Sequence, residues 1–435
     1  MAAGTSIRYL RLYLHAPGGH KQGVGYLSQY GDLMRVSFDE AYITNPERLT
    51  LSMSYLGLTD AETQAILRAP RDVRLARSDG HWPAFFQNLL PEGHNRDRLA
   101  AERGCAPEDE FELLAAAGHD LMGACEVEPV PPQQDIPHVV RHWHTALGLD
   151  VLEPGFVEEP VEDAASLPGV VTKFSAVHDG RRYVVKRHGA AGQFILKLPS
   201  TQHPDLVANE YTGYQLCQAL GLDCAVARVV ARTDTELPEQ VPFDDILAVQ
   251  RFDRHQGQRV HMEEFAQALR YEPRHKYGKG IVQDYGQMLR LLDRYSSRPA
   301  QDVREFLGRF VAFIVMGNTD AHLKNWALLY PDGRIPRLAP LYDPVCVSAF
   351  FAALPPNAYG VNREIDRKLR AFTWADLEAL IATAQLPRPK VLLRHCRDVV
   401  RQAQADWPAL LVHAPANVRQ EVQARLQGGV ALAAS

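Results

Sequence analysis

The stretch G-N-T-D-A-H-L-K-N at residues 317–325, followed by L-Y-D at 341–343, decides how this 435-residue chain is read. Asp320 and Asn325 stand in the D-x-x-x-x-N spacing of a phosphoryl-transfer loop, and Asp343 follows where such loops are trailed by a further carboxylate. Phosphoryl transfer asks for little covalent work from the protein, so the site mainly positions the nucleophile and neutralises phosphate charge. A carboxylate at Asp320 suits orientation of an acceptor hydroxyl and uptake of its proton. Asn325 and Asp343 offer the hard oxygen ligands that magnesium prefers. His322 and Lys324 lie inside the loop as candidate phosphate contacts. Asp, Asn and Gly favour loops for purely local reasons, so context carries the weight. Residues 305–316, E-F-L-G-R-F-V-A-F-I-V-M, predict a buried helix running into the loop. Residues 326–330 then predict an apolar strand, 331–333 a turn and 334–341 a return strand.

A phosphoryl-transfer enzyme of this kind also needs a strand lysine to hold the nucleotide phosphates. Lys197 interrupts the apolar run Q-F-I-L-K-L-P at 193–199, and an unpaired ammonium buried there is costly, so an anionic partner is expected. The plainer alternative is an edge-strand lysine in solvent. Glu210, thirteen positions on, is the candidate partner. A first-turn acid is also stabilised by the helix dipole, which would explain Glu210 without any pairing. Residues 166–173, S-L-P-G-V-V-T-K, form a candidate phosphate-covering loop, although a single glycine is a thin signal. Residues 246–254, I-L-A-V-Q-R-F-D-R, place Gln250 and Phe252 where a hinge would meet adenine through its backbone.

Together these segments resemble the HipA family of serine/threonine kinases, toxins of bacterial toxin-antitoxin pairs. The resemblance is carried by L-L-P-E-G at 89–93, F-E-L-L-A-A-A-G-H-D-L-M-G-A at 111–124, F-I-L-K-L-P at 194–199, N-E-Y at 209–211, R-F-D-R at 251–254, H-M-E-E-F-A-Q-A-L at 261–269 and the two stretches first quoted. It implies an α+β, two-lobed protein-kinase-like fold with a mainly β N-terminal subdomain and a mostly helical C-terminal lobe. It further implies ATP and Mg2+ as cofactors, with Asp320 catalytic, Asn325 and Asp343 on the metal, and Lys197 on the nucleotide phosphates. Gly169 falls in the phosphate loop, Gln250 and Phe252 in the adenine segment, and Tyr342 and His322 beside the nucleotide. Ser166 occupies the place of a serine whose autophosphorylation inactivates members of the family. Implied partners are a HipB-like helix-turn-helix antitoxin, operator DNA reached mainly through it, and a protein substrate for which glutamyl-tRNA synthetase is the leading analogy. The loop L-P-G-V-V-T-K departs from the family's usual pattern in its proline and second valine. Rival readings are a lipid or small-molecule kinase, because D-x-H-x-x-N also resembles phosphoinositide-kinase loops, and a catalytically silent corepressor.

Composition narrows the alternatives. A net charge of −5 gives no basic excess to drive nonspecific nucleic-acid binding. The six cysteines form no C-x-x-C pair, and the seventeen histidines show no zinc-finger spacing, so neither a disulfide framework nor a zinc site is expected. No apolar run of about eighteen residues occurs, and M-A-A-G-T-S-I-R lacks a signal pattern, so a cytoplasmic chain without membrane association is expected. Alternating strand patterns open the chain, prolines cluster at 129–137, and helical periodicity marks 376–384 and 391–405. The expected organisation is 1–145 as an N-terminal subdomain, 146–256 as a region with phosphate loop and hinge, and 257–435 as a helical lobe carrying the catalytic loop.

Overall fold

The computed structural model describes residues 6–131, 134–142, 154–167, 171–199, 204–237, 239, 241–351 and 362–434. The chain is α+β, as expected. It divides into two compact units: Met1–Gln193 with Asp253–Arg274 and Tyr330–Arg334, and Phe194–Phe252 with His275–Leu329 and Ile335–Ser435.

The first unit is built on a five-stranded antiparallel sheet, in the order Ala76–Arg77, Leu33–Phe38, Lys21–Tyr30, Arg8–His15 and Cys125–Pro129. R-Y-L-R-L-Y-L-H alternates as a half-buried strand must, with Leu10, Leu12 and Leu14 in the core, and its register shifts at Leu12/Tyr13. The helix Glu110–Ala117 starts at Asp109, whose side chain accepts the Glu112 N–H, and it buries Phe111, Leu113, Leu114 and three alanines. Beyond it lies a buried charge cluster. Asp120 receives Arg187 at 2.8 Å and Arg254 at 3.0 Å, and the Ser175 hydroxyl donates to it at 2.8 Å. Asp253 receives Arg254 and the Gly123 N–H, each at 2.8 Å. Gly123 has φ +67, and a Cβ there would lie 2.7 Å from the Met262 nitrogen. G-H-D-L-M-G-A and the last two residues of R-F-D-R are therefore one buried ionic joint in which each charge has a partner, as burial demands.

In the second unit the strands Ala227–Ala231 and Phe194–Lys197 flank Asp245–Gln250, and Leu247 faces Lys197. The helices Leu206–Ala219, Ile281–Tyr295, Pro299–Met316, Trp374–Thr383 and Pro389–Leu410 form the helical part. Pro299 sits at the first helical position, where its missing N–H is not needed. Asp302 ties this helix to the hairpin by accepting the Leu338 N–H at 2.7 Å and the Arg298 guanidinium at 2.8 Å.

Two expectations are corrected, on the return strand and on Glu210. The return strand spans only Arg337–Leu338, because Pro336 and Pro340 remove ladder donors on either side. The mostly helical region past 257 opens on two short strands, Gln258–Arg259 and His261–Glu264. The helix carrying Glu210 begins at Leu206, so Glu210 lies beyond its first turn and out of the dipole's main reach. No helix among the described residues is long and apolar enough to cross a membrane.

Candidate active site

The geometry around the loop 317–325 and Lys197 lies in the second unit. The helix Pro299–Met316 ends at Gly317, which takes φ +84 and donates its N–H to the Phe313 carbonyl at 2.9 Å, the usual glycine stop. Space requires glycine as well, since a Cβ at Gly317 would sit 2.2 Å from Ser348 Oγ and 2.8 Å from Arg425 Nε. Past the loop, Trp326 packs into the rings of Phe306, Phe313 and Tyr285, with centroids 4.3, 5.5 and 5.8 Å away. One apolar helix thus anchors both ends of residues 317–325.

Inside the loop, polar groups hold one another. Asn318 Oδ1 accepts the Asp320 N–H at 3.1 Å, and Asn318 Nδ2 reaches the Asp343 carbonyl at 3.4 Å. Asn325 Nδ2 donates to the Asp320 carbonyl at 2.7 Å, which turns its Oδ1 the other way. The Tyr285 hydroxyl and Trp326 Nε1 both donate to the Ala321 carbonyl, at 2.6 and 3.2 Å. The Asp320 carboxylate accepts the Tyr277 hydroxyl at 2.6 Å, with His322 Nε2 3.9 Å away. A cavity of about 230 Å³ opens beside this loop, lined among others by Tyr277, Lys279, Asp284, Thr319 and His322.

Lys197 is not a solvent lysine. It is 6% exposed, and its Nζ donates to Glu210 at 2.6 Å and also to Asp343. Glu210 is 3% exposed, so two buried charges satisfy each other, and the half-open Asp343 carboxylate completes the set. Asp343 has φ +56, a costly backbone conformation of the sort that recurs at functional sites. Helix Leu206–Ala219 approaches that segment closely at Gly213, where a Cβ would meet the Pro344 carbonyl at 1.6 Å. Asn209 clamps the same segment, donating to the Cys346 carbonyl at 3.0 Å and accepting its N–H at 2.8 Å.

Of the residues picked from sequence, Asp320, His322 and Asn325 share the loop, and Lys197 meets Asp343. Tyr342 stacks obliquely on Phe252 at 5.7 Å, and its hydroxyl donates to the Lys324 carbonyl at 2.8 Å. Gln250 closes its strand, its N–H donating to the Val226 carbonyl at 2.8 Å. Ser166 belongs to the first unit and is fully buried, its hydroxyl donating to the Leu89 carbonyl and its N–H to the Asp120 carbonyl at 3.1 Å. Gly169 lies outside the described residues. Sequence reasoning missed Tyr277, Asn318 and Asn209. Asn318, inside the quoted stretch, was within reach of a loop reading, whereas Tyr277 in H-K-Y-G-K-G gives no local sign of meeting Asp320.

Asn325 Oδ1 and the Asp343 carboxylate are hard oxygen donors of the kind magnesium takes, and among the described residues no group of three or more His, Cys, Asp or Glu is placed to hold a metal ion. These residues fit magnesium.

Comparison with known proteins agrees with this picture. The model of the HipA N-terminal domain matches residues 19–128, and that of the HipA-like C-terminal domain matches 165–407. A putative kinase of Sinorhizobium fredii, Y4dM, is 33% identical over 383 residues, 86% of each chain. The serine/threonine-protein kinase toxin HipA of Shewanella oneidensis is 25% identical over 353 residues, covering 76% of this chain and 78% of that one. Among solved structures, the complex of Shewanella oneidensis HipA, HipB and operator DNA matches with a TM-score of 0.65 at 19% identity, over 98% of this chain and 96% of that chain, a likeness of fold. With over half its length matched by the C-terminal model and the N-terminal model in register ahead of it, the chain belongs to the HipA family.

Proposed function

We propose that this protein is an ATP- and magnesium-dependent serine/threonine protein kinase acting as the toxin of a toxin-antitoxin pair. The observation that carries the reading is the convergence of Lys197 and Glu210 with Asp343, more than a hundred positions further along the chain, in the same unit as the Asp320–Asn325 loop. A buried Lys–Glu pair beside a catalytic-loop Asp and Asn is what kinases use to hold phosphates and metal. In this reading Asp320 orients the acceptor hydroxyl and takes its proton. Lys197 holds nucleotide phosphates, and Asn325 and Asp343 hold the metal, which when bound supplies charge neutralisation at the phosphates. Tyr342 and Phe252 offer a ring pair to the nucleotide, Gln250 offers backbone contacts, and His322 and Gly169 stand by the phosphates. The nucleotide-handling parts are 146–256 and 257–435, with 1–145 as the N-terminal subdomain.

The test is transfer of labelled phosphate from magnesium-ATP to protein and lipid acceptors. Wild type labels protein, while Asp320→Ala and Asp343→Ala each abolish labelling, the second also weakening nucleotide binding. Normal labelling by Asp320→Ala, or labelling of lipid alone, overturns the reading.

Regulation and targets extend the proposal. Ser166 is the autophosphorylation site. Its buried hydroxyl has no room for a dianionic phosphate, so modification requires the segment to leave its place. Mass spectrometry finding no phosphate on Ser166 in an active preparation would remove self-inactivation. By analogy with the Shewanella complex, the partner is a HipB-like helix-turn-helix antitoxin that brings operator DNA. The substrate is an aminoacyl-tRNA synthetase in the cytoplasm, glutamyl-tRNA synthetase first, and phosphoproteomics after induced expression tests it.

A further inference from the structure

The Asp320 carboxylate has, among the described residues, one hydrogen-bond donor, and it comes from outside the catalytic loop. Tyr277 Oη donates to Asp320 Oδ1 at 2.6 Å. We propose that Tyr277 is a positioning residue for Asp320, fixing the carboxylate so that its second oxygen is the one presented to an acceptor hydroxyl.

The surroundings of Tyr277 are built for holding a phenol still. Immediately before it, the Lys276 carbonyl accepts the Leu323 N–H at 3.0 Å, tying the segment to the catalytic loop. Immediately after it, the Lys279 and Gly280 N–H groups both donate to Asp284 Oδ2, at 2.6 and 2.7 Å. Gly278 makes that wrap possible with φ +70, and a Cβ there would lie 2.2 Å from the same oxygen. The Tyr277 ring stands edge-on to His322 with centroids 5.3 Å apart. Tyr277 is 38% exposed, so its ring contributes little core packing. A carboxylate free to rotate presents either oxygen in many orientations. One held by a fixed donor keeps a single approach geometry, and orientation of this kind is a large part of rate enhancement.

The step it serves rests on the kinase reading above. The acceptor oxygen bonds to the γ-phosphorus as its proton passes to Asp320, and the bond from phosphorus to the bridging oxygen breaks with its electron pair leaving on ADP.

The experiment compares full-length wild type, Tyr277→Phe, Tyr277→Ala and Asp320→Ala for kcat, KM for magnesium-ATP and melting temperature. Positioning predicts that Phe, which keeps the ring but loses the hydroxyl, lowers kcat by roughly 10- to 100-fold with KM and melting temperature unchanged, and that Ala falls by a similar factor. A packing role predicts the opposite split, with Phe equal to wild type and Ala impaired. That result, with Asp320→Ala inactive, overturns the positioning role and leaves the kinase reading standing. If Asp320→Ala is as active as wild type, the kinase reading fails and takes this inference with it.

Discussion

Substituting Lys197 by Met separates what the buried ion pair does for the fold from what it does for chemistry. Lys197 and Glu210 are 6% and 3% exposed and lie 2.6 Å apart, so the change leaves a carboxylate in the interior without its cation. Removing one partner of such a pair costs about 3–5 kcal/mol, mostly from the stranded charge. Asp343 keeps access to solvent, its side chain being 25% exposed, and adds little to that cost. Local opening of the helix Leu206–Ala219 should therefore become on the order of 100- to 4,000-fold more frequent, since about 1.4 kcal/mol is a factor of ten. Hydrogen exchange of peptides from that helix, with urea unfolding alongside, reads the change. The double variant Lys197→Met/Glu210→Leu replaces both charges by apolar groups, and a buried pair exchanged in this way is roughly neutral. Exchange protection should return in the double variant, while phosphoryl transfer stays absent in both. If the single variant shows wild-type protection, the pair does not carry the stability assigned to it. If the double variant regains transfer within tenfold of wild type, Lys197 is not the phosphate-holding residue.

Other consequences can be measured independently. Gly317→Ala forces an unfavourable φ and drives a methyl into Ser348 and Arg425. It should cost about 2–5 kcal/mol in thermal denaturation and abolish transfer, and a stable, active variant would contradict the packing described at the loop's start. In the first unit, burial raises the Glu263 carboxyl to about 7 although Ser52, Met53 and Tyr330 donate to it, and burial lowers the neighbouring His261 to about 4. A raised acid loses stability as pH rises from its unfolded value through its folded one, and a lowered histidine loses it as pH falls from about 6.5 to about 4, so the two slopes oppose between about pH 4.5 and 6.5. Glu263→Gln should remove a loss of about 3 kcal/mol towards neutral pH and leave stability rising across that window, and a pH profile identical to wild type would refute the buried-acid account. Ser166→Ala should leave the Leu89 carbonyl without its donor and cost about 1–3 kcal/mol in urea denaturation, whereas no change would mean that the hydroxyl is not tied down as described.

Much of the site was legible because its chemistry is local. Asp320, Asn325 and the glycine that ends their helix lie within nine residues, and the apolar run before them can only be a buried helix. The α+β class and the family likewise follow from patterns and segments read in order. Where local reading failed, longer-range geometry had the final word. The return strand was overestimated because apolar residues outvoted Pro336 and Pro340, whose missing donors stop the ladder. No local pattern in R-F-D-R showed that Asp253 and Arg254 would complete a buried joint with Asp120 and Arg187.

By itself the sequence determined which residue types the chemistry has available and their spacing along one loop, since spacing within a turn or two of backbone is fixed by covalent geometry. Tertiary structure alone decided that Lys197 meets both Glu210 and Asp343, that Asn318 bridges to the Asp343 carbonyl, and that Tyr277 supplies the donor to Asp320. Those contacts span up to 146 positions. They arise from how helices and strands pack rather than from any local preference, and the cost of an unpaired buried charge selects the packing that satisfies them all.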